Sequence, residues 1–312
     1  MLRLVLKRLA LLVPLLVVIS FVSFSLAELS SSDPAEVAIR VNAMVPTPEL
    51  IAQTRYEFGL DRPLLERYVT WICGAVQGDF GLSFVTRLPV AESLLEAFPA
   101  TLALAGASLL IILVLSLSAG VASALKQGTV LDFAIRAFIF CASAMPAFWA
   151  AMLLILVFSV KLGWLPTSGM RTSSAIVLPA IMLSLAYIGT YMRLVRTEML
   201  RTANENWVLF AKGRGLPRGK IIRHMIKNSL RGAAAGLGMS IPKLIAGAFV
   251  VETIFAWPGI GRLCVEAIFN RDLPIVQAYV LIMGTLFIVF NLASDVVVLI
   301  LDPRERRMEG VA

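Results

Sequence analysis

Long apolar runs separated by short polar segments make up most of this chain, and this pattern predicts a helical membrane protein. About 20 residues cross the hydrocarbon core of a bilayer, and six runs come near or exceed this length. They are Leu9–Ala27, Ala97–Leu125, Ala137–Val160, Thr172–Met192, Gly232–Val251 and Leu273–Ser294. The third run contains Pro146, which we expect within one continuous helix because membrane helices tolerate proline. The predicted fold class is therefore all-α, with six transmembrane helices.

The first run follows three basic residues, Arg3, Lys7 and Arg8. A secretory signal peptide begins similarly, but its apolar core is roughly 7–15 residues long and ends at a small-residue cleavage site. No clear cleavage site follows Leu9–Ala27. We therefore expect this run to remain as helix 1, with its basic end in the cytoplasm.

The composition supports a membrane location and narrows the possible partners. Only 15% of the residues are charged and 59% are hydrophobic, whereas a soluble domain has roughly 25% charged residues. The net charge of +8 is also typical of nucleic-acid binding, but here the basic residues flank apolar runs as topogenic signals do. We therefore expect no nucleic-acid partner.

Positive charge is concentrated between the fourth and fifth runs, in residues 193–231. Only Glu198 and Glu205 oppose the basic side chains of this loop. Those basic residues are Arg193, Arg196, Arg201, Lys212, Arg214, Arg218, Lys220, Arg223, Lys227 and Arg231. Membrane proteins keep such loops on the cytoplasmic side. With six helices, a cytoplasmic basic loop places the N-terminus and the C-terminus in the cytoplasm as well.

These runs divide the chain into three predicted parts. Residues 1–29 hold the N-terminal segment and helix 1, and residues 30–96 form a polar external region. Residues 97–312 form a core of five transmembrane helices that includes the basic loop.

A glycine-rich stretch within the basic loop is superficially similar to a phosphate-binding loop. That motif requires G-x-x-x-x-G-K-[ST]. Gly219 and Lys220 fit it, but Arg214 stands where glycine is required and Ile221 where Ser or Thr is required. We therefore expect the chain to have no ATPase site of its own.

The basic loop is predicted to form two short helices joined at Gly213–Gly219. The first, near Asn204–Lys212, presents Trp207, Leu209 and Phe210. Aromatic side chains on a polar cytoplasmic loop suit a pocket on another protein. A polybasic stretch on anionic lipid, at about 1 kcal/mol per charge near the surface, explains the charges equally well. The residues alone leave both partners open.

The loop resembles the ATPase-coupling loop of permease subunits in binding-protein-dependent ABC importers. The dipeptide, oligopeptide and nickel permease family has a loop of the form A-x-x-x-G-L followed by a basic helix with His and Asn. This chain has Ala211 to Leu216 in that pattern, then His224 and Asn228. The broader importer signature begins Glu-Ala-Ala, and its Glu is replaced by Leu209 here. The resemblance implies that a partner ATPase receives Trp207, Leu209, Phe210, Ala211, Arg214, Gly215 and Leu216.

Further motifs extend the resemblance over nearly the whole chain, and their order is most similar to nickel-importer permeases. They are Gly59–Pro63, Gly78–Phe84, Pro99–Leu102, Met145–Trp149, Phe255–Arg262, Asn270–Pro274 and Asp302–Arg304. The resemblance implies a type I ABC importer permease fold in the bacterial inner membrane, with the external region in the periplasm. It also implies a second homologous permease subunit, two cytoplasmic ATP-binding subunits and a periplasmic substrate-binding protein.

The implied cargo is nickel, free or chelated, with peptides or an opine-type metallophore as the alternative. The resemblance also implies a transport subunit that is not an enzyme, because the partner subunits hydrolyse ATP. A secondary transporter would show internal inverted repeats, and none is convincing here. A membrane enzyme is also disfavoured, since the sequence has no HExxH motif and no Ser/His/Asp set.

Lys243 is expected near the middle of the fifth helix, where a charge costs about 2.5–3.5 kcal/mol on insertion scales and usually faces a cavity or a partner. It is a candidate for the translocation path, where it would meet an anionic group on the cargo. Pairing with an acid of a neighbouring subunit, or snorkelling after a bend at Pro242, remains open. A free divalent cation would be repelled by Lys243, whereas a metal held in a carboxylate chelator would not.

The sequence predicts no metal site and no cofactor. Imidazole, carboxylate and thiolate are the side-chain ligands that suit nickel. The single histidine, His224, lies in the basic loop, and Cys73, Cys141 and Cys264 show no metal-binding spacing. An importer whose selectivity resides in an external binding protein fits this pattern.

Overall fold

The computed structural model describes residues 14–26, 32–238 and 241–301, which are mostly helical. Its helices are α1 (Pro14–Leu26), α2 (Pro34–Val41), α3 (Pro48–Glu57), α4 (Leu64–Val76), α5 (Val90–Leu125), α6 (Val130–Ala144), α7 (Ala147–Leu154), α8 (Val177–Ala203), α9 (Asn206–Gly213), α10 (Arg218–Gly238), α11 (Ile241–Ile254), α12 (Ile260–Phe269) and α13 (Leu273–Leu301). A π-helical segment, Ile155–Lys161, extends α7, and a 3-10 turn, Ser173–Ile176, precedes α8. Within the described ranges there is no β-strand. Arg3, Lys7, Arg8 and the Asp302–Arg304 motif lie outside them.

Three helical segments in the described part of the chain are long and apolar enough to cross a membrane. They are Val90–Leu125, Ser173–Ala203 and Leu273–Ala293. The pair formed by Val130–Ala144 and Ala147–Lys161 makes a fourth if its two bent halves count as one span. α1 is apolar but shorter. The all-helical membrane character is thus confirmed, with three or four spans in the part of the chain that is described.

The third apolar run is not one continuous helix, so the expectation of a tolerated Pro146 is wrong. α6 and the extended α7 meet at 106°. Met145 has an extended backbone (φ −71°, ψ 138°), and Pro146 precedes the first turn of α7. The proline ring disfavours a helical conformation in the residue before it. Here that preference breaks the helix instead of being absorbed by it.

The second helix of the basic loop is longer than expected and crosses the predicted start of the fifth apolar run. α10 covers Arg218–Gly238, so Gly232 lies inside it and does not begin a helix. Ile221, Met225 and Ser229 are buried at a spacing of four residues, which keeps one face of the helix against the protein. The loss of charge after Arg231 changes the polarity of the chain without ending the helix.

The described residues divide into two compact units. The loop-bearing unit comprises residues 103–255 and 289–301, and the N-terminal unit comprises residues 14–102 and 256–288. Within the loop-bearing unit, α8 packs against α6, α7, α10 and α11. α5 comes close to α8 at Gly120, where a Cβ would lie 2.8 Å from Val195 Cβ and 3.0 Å from the Met192 carbonyl oxygen.

A buried carboxylate joins α6 to α8 in the loop-bearing unit. The Asp132 side chain is 1% exposed. Its two oxygens accept Nε and Nη2 of Arg196 at 3.2 and 3.0 Å, and Oδ1 also accepts Nε of Arg136 at 3.1 Å. The Ser123 hydroxyl and the Gly128 backbone N–H donate to the same carboxylate. This set of donors satisfies a charge that would otherwise be costly to bury.

A second buried aspartate organises a loop of the N-terminal unit. Asp272 is 2% exposed, and its Oδ1 accepts the Phe84 backbone N–H at 2.9 Å while Oδ2 accepts the Ser83 hydroxyl. Burial raises the pKa of the Asp272 carboxyl, and these hydrogen bonds oppose that rise. Elsewhere in this unit, Trp257 Nε1 donates to the Ala100 carbonyl at 2.8 Å, and Thr101 Oγ1 accepts the Ile260 N–H at 2.9 Å.

We expect Gly120→Ala to destabilise the chain by about 1–3 kcal/mol, because the added methyl overpacks the contact with Val195. Gly106→Ala is the matched control in the same helix, since nothing lies within 4 Å of its added Cβ. This control replaces a helical glycine by alanine and should be neutral or stabilise by up to about 1 kcal/mol. Thermal unfolding of the two purified variants in detergent measures the difference. Equal midpoints would contradict the close approach at Gly120.

We expect Asp132→Ala to lower the unfolding free energy by about 3–5 kcal/mol, because it leaves Arg196 buried without its carboxylate. Arg196 is itself only 20% exposed. The control is Glu36→Ala, which removes an exposed ion pair with Arg40 and should cost about 0–1 kcal/mol. A double-mutant cycle with Arg196→Met should show strong coupling, and additive effects would mean that the pair does not join the helices.

Candidate functional site

The short helix α9 stands at the tip of the basic loop, between the ends of α8 and α10. Glu205 precedes it with an extended backbone, and its carboxylate accepts the indole N–H of Trp207 at 2.7 Å. At the other end, Leu216 N–H donates to the Ala211 carbonyl and Gly215 N–H to the Lys212 carbonyl, at 3.1 and 3.0 Å. This pair of bonds is the Schellman arrangement, which requires a left-handed residue after the helix.

Gly215 supplies that left-handed residue, with φ +70°. A side chain at this position would strain the backbone. The glycine predicted from the coupling-loop pattern therefore has a local structural reason: it turns the chain sharply out of α9 towards Pro217, the residue before α10. The stretch that superficially matched a phosphate-binding loop is this turn followed by the first residues of α10.

The predicted docking residues divide into an inward and an outward group. Trp207 and Ala211 are half-buried and pack against a core cluster of the loop-bearing unit. The members of that cluster are Ala124, Val195, Met199, Val208, Ile221 and Met225. Leu209 and Phe210 are 71% and 73% exposed. Arg214, Gly215 and Leu216 are exposed as well.

Val208 is a structural anchor of α9 that the sequence pattern did not indicate. It is 1% exposed, whereas its two C-terminal neighbours are among the most exposed apolar side chains of the chain. It belongs to the same buried cluster as Met199 of α8 and Ile221 of α10. α9 is therefore fastened to both flanking helices by its inner face, and its outer apolar face is left in solvent.

α10 separates its polar and apolar residues in the same way. Ile221, Met225 and Ser229 are buried, and Ser229 Oγ lies 3.3 Å from Thr202 Oγ1 of α8. The opposite face is exposed and basic, and it carries the single histidine. Its residues are Lys220, Arg223, His224, Lys227 and Asn228. Arg196, which the sequence counts with this basic loop, instead lies within α8 and binds Asp132.

Lys243 does not lie near the middle of a helix, as predicted, but in the first turn of α11, because α10 extends to Gly238 and α11 begins only at Ile241; its side chain is exposed. The Tyr187 hydroxyl of α8 donates to the Lys243 carbonyl at 2.9 Å. Among the described residues, no group of three or more His, Cys, Asp or Glu side chains could hold a metal ion. His224 is exposed on α10.

The architecture also matches that of a solved structure. It is an inward-facing MetNI methionine ABC transporter, with a TM-score of 0.56 and 16% sequence identity. The match covers 67% of this chain and 96% of that chain. The chain therefore shares the fold of that ABC transporter chain.

Relatives from bacteria match over almost their entire lengths. The metal-staphylopine import system permease protein CntB of Staphylococcus aureus is 42% identical, covering 98% of this chain and 99% of that protein. The di/tripeptide transport system permease protein DppB of Pseudomonas aeruginosa is 32% identical over 98% of this chain and 99% of its own. The oligopeptide transport system permease protein AppB of Bacillus subtilis is 33% identical over 96% and 98%.

Family comparison agrees with these relatives. Residues 116–307 match the family described as the binding-protein-dependent transport system inner membrane component, and residues 1–105 match the N-terminal part of such components. The family inferred from the loop motif is therefore confirmed. The chain belongs to the binding-protein-dependent transport system inner membrane components and is a permease subunit of an ABC importer in the inner membrane.

Proposed function

We propose that this chain is one half of a six-helix-per-subunit permease pair, with both termini in the cytoplasm. Residues 30–96 lie in the periplasm, and residues 97–312 form the core with the cytoplasmic loop 193–231. The apolar runs and the concentration of positive charge in that loop support this topology. A second, homologous permease subunit completes the translocation path, and a periplasmic substrate-binding protein delivers the cargo.

The exposure of Leu209 and Phe210 carries the proposal that α9 docks on a partner ATPase. Both side chains are more than two-thirds exposed on a helix whose inner face is buried. Large apolar side chains held outward by a rigid support are the usual anchors of a protein interface. Arg214 adds a positive charge at the end of the same helix. Two cytoplasmic ATP-binding subunits would each receive one such loop.

The ATPases supply the chemistry, and this chain converts their movement into access to the path. ATP binding brings the two ATPases together and moves the docked loops. α9 shares a buried cluster with α8 and α10, so these helices move with it. The contact of Arg196 with Asp132 then carries the displacement of α8 to α6, which opens the permease outward.

The basic face of α10 supports membrane lipid as a further partner. Lys220, Arg223 and Lys227 are exposed at helical spacing on the face opposite the buried residues. Each such charge near an anionic leaflet contributes about 1 kcal/mol. We therefore assign the ATPase contact to the apolar tip of α9 and the contact with anionic lipid to the basic face of α10.

We further propose nickel as the cargo, carried as a complex with a small carboxylate chelator. The relative from Staphylococcus aureus belongs to a metal-staphylopine import system, and the other relatives transport peptides. Lys243 is exposed and is the candidate contact in the path, because its ammonium group would attract a carboxylate and repel a bare cation. Peptides, or an opine-type metallophore with another metal, are the alternative cargo.

Phe210→Asp should lower transport by about tenfold or more, because it places a charge in the centre of the proposed ATPase contact. The folded chain should be unaffected, since the side chain is 73% exposed. The reconstituted importer, with its binding protein and ATP, measures transport and stimulated ATP hydrolysis. Thermal unfolding measures stability.

Val76→Asp provides the matched control, because Val76 is 84% exposed and lies outside the basic loop. It should leave the coupling between ATP hydrolysis and transport intact. Phe210 is preferred to Gly215 as the test position, since any side chain at Gly215 strains the turn as well as the interface. Normal transport by the Phe210→Asp importer would refute docking through α9.

Deletion of the gene should abolish uptake of radiolabelled nickel, and added histidine as a chelator should increase uptake in cells that retain the gene. Lys243→Gln should reduce the chelator-dependent part, because the carboxylates of the complex lose their positive partner. Lys161→Gln, at another exposed lysine, is the control. Unchanged nickel uptake after deletion would exclude nickel and favour a peptide or related solute, with the importer assignment intact.

A further inference from the structure

A cavity of about 440 Å³ in the N-terminal unit has walls of aromatic rings and a positively charged rim. Its volume lies in the range of small-molecule sites. The aromatic lining residues are Phe24, Tyr56, Phe58, Trp71, Phe80 and Phe84. Three arginines also line it, Arg62, Arg67 and Arg87, against one acid, Glu57. The lining therefore carries an excess of two positive charges.

Arg87 is held in place by a three-layer stack. The rings of Phe58 and Phe84 are parallel within 6°, with centroids 4.0 Å apart. The Arg87 guanidinium lies over the other side of Phe58, with Cζ 4.4 Å from the ring centroid. Nη2 donates to Glu57 Oε2 at 3.2 Å. A planar guanidinium fixed in this way is preorganised for a carboxylate, which it can bind through two parallel N–H groups.

Asp272 holds the loop that carries Phe84 and Arg87 through hydrogen bonds. Phe84 N–H and the Ser83 hydroxyl both donate to this buried carboxylate. Ser83 Oγ in turn accepts the Thr86 N–H at 2.9 Å. Arg87 has a left-handed backbone, with φ +61°, which is unusual for a residue with a long side chain. Such local strain, imposed by surrounding contacts, is common at binding sites.

The cavity wall also contains a residue with an unsatisfied hydrogen-bond donor. Trp71 Nε1 is buried and has no hydrogen-bond partner within the described structure. A buried donor without an acceptor is costly. Nearby, Arg62 Nη1 is 3.7 Å from Glu66 Oε1, which exceeds hydrogen-bonding distance. An anion that entered the cavity would meet the guanidinium groups that line it.

We propose that this cavity binds a small carboxylate-bearing molecule with an aromatic or apolar body. The carboxylate pairs with the arginines at the rim, and the apolar body lies among the aromatic rings. The positive excess disfavours a cation, and the charged rim disfavours a purely apolar ligand. The lining belongs to the N-terminal unit and the basic loop to the other unit, so this proposal does not rest on the ATPase contact.

The purified full chain in neutral detergent is titrated with N-acetyl-4-fluorophenylalanine, and binding is followed through the fluorine NMR signal of the probe. The matched probe is its amide, which has the same ring and no negative charge. We expect saturable binding of the acid, and binding of the amide about tenfold weaker or more, because charge-assisted hydrogen bonds to guanidinium are lost. Equal affinity for the acid and the amide would overturn the proposal.

Arg62→Gln should weaken binding of the acid about fivefold to tenfold and leave binding of the amide unchanged, since one guanidinium is removed. Arg62 is 63% exposed with an acid four residues away, so the fold should tolerate this change. Arg40→Gln is the matched control, because Arg40 is 65% exposed, has an acid at the same spacing and does not line the cavity. An unchanged affinity of Arg62→Gln, or an equal loss in Arg40→Gln, would contradict the site.

A lipid phosphate is the other anion with access to a membrane protein, and competition separates it from a soluble carboxylate. Phosphatidylglycerol and phosphatidylcholine are added to the micelles in turn. The proposal predicts that neither displaces the acid at stoichiometric amounts. Displacement by phosphatidylglycerol alone would assign the cavity to an anionic headgroup and overturn the assignment to a small carboxylate. Neither result bears on the ATPase contact, which is tested by transport.

Discussion

The ion pair between Asp132 and Arg196 is the constraint on which the loop-bearing unit depends. A carboxylate that is 1% exposed must be satisfied from several sides, because burial removes its hydration. Here two guanidinium groups, a hydroxyl and a backbone N–H meet it. Since Arg196 lies on α8 and Asp132 on α6, this requirement fixes one helix against the other. α9 follows directly from the end of α8, so the position of the basic loop depends on the same contact.

The two faces of α9 explain how eight residues can be both rigid and exposed. Val208 is buried with residues of α8 and α10, and the turn at Gly215 closes the helix with two backbone hydrogen bonds. These supports reduce the conformational entropy that Leu209 and Phe210 would lose on binding a partner. A loop that transmits force between subunits needs such a support, because a flexible tip would absorb the movement instead of passing it to α8.

The sequence predicted those features that depend on composition or on local motifs. The apolar runs indicated the helices, and the pattern from Ala211 to Leu216 indicated the family. The break at Pro146 was missed because periodicity does not distinguish a tolerated proline from one that ends a helix. The pairing of Arg196 with Asp132 joins residues far apart in sequence. The stack of Arg87 on Phe58 lies in residues 30–96, which the sequence predicted only as a polar external region. Contacts of this kind depend on tertiary packing, which local patterns do not encode.

Asp132 and Asp272 show two ways in which a buried acid can organise a loop. Asp132 accepts hydrogen bonds mainly from two arginines, so its negative charge and their positive charges compensate one another within the protein. Asp272 is met by a hydroxyl and a backbone N–H, and burial raises the pKa of its carboxyl. Arg87, on the loop that Asp272 holds, does not pair with that acid, and its guanidinium donates to Glu57 instead. The first arrangement joins two helices, whereas the second fixes the loop that carries Arg87 beside the cavity for which we propose a carboxylate ligand.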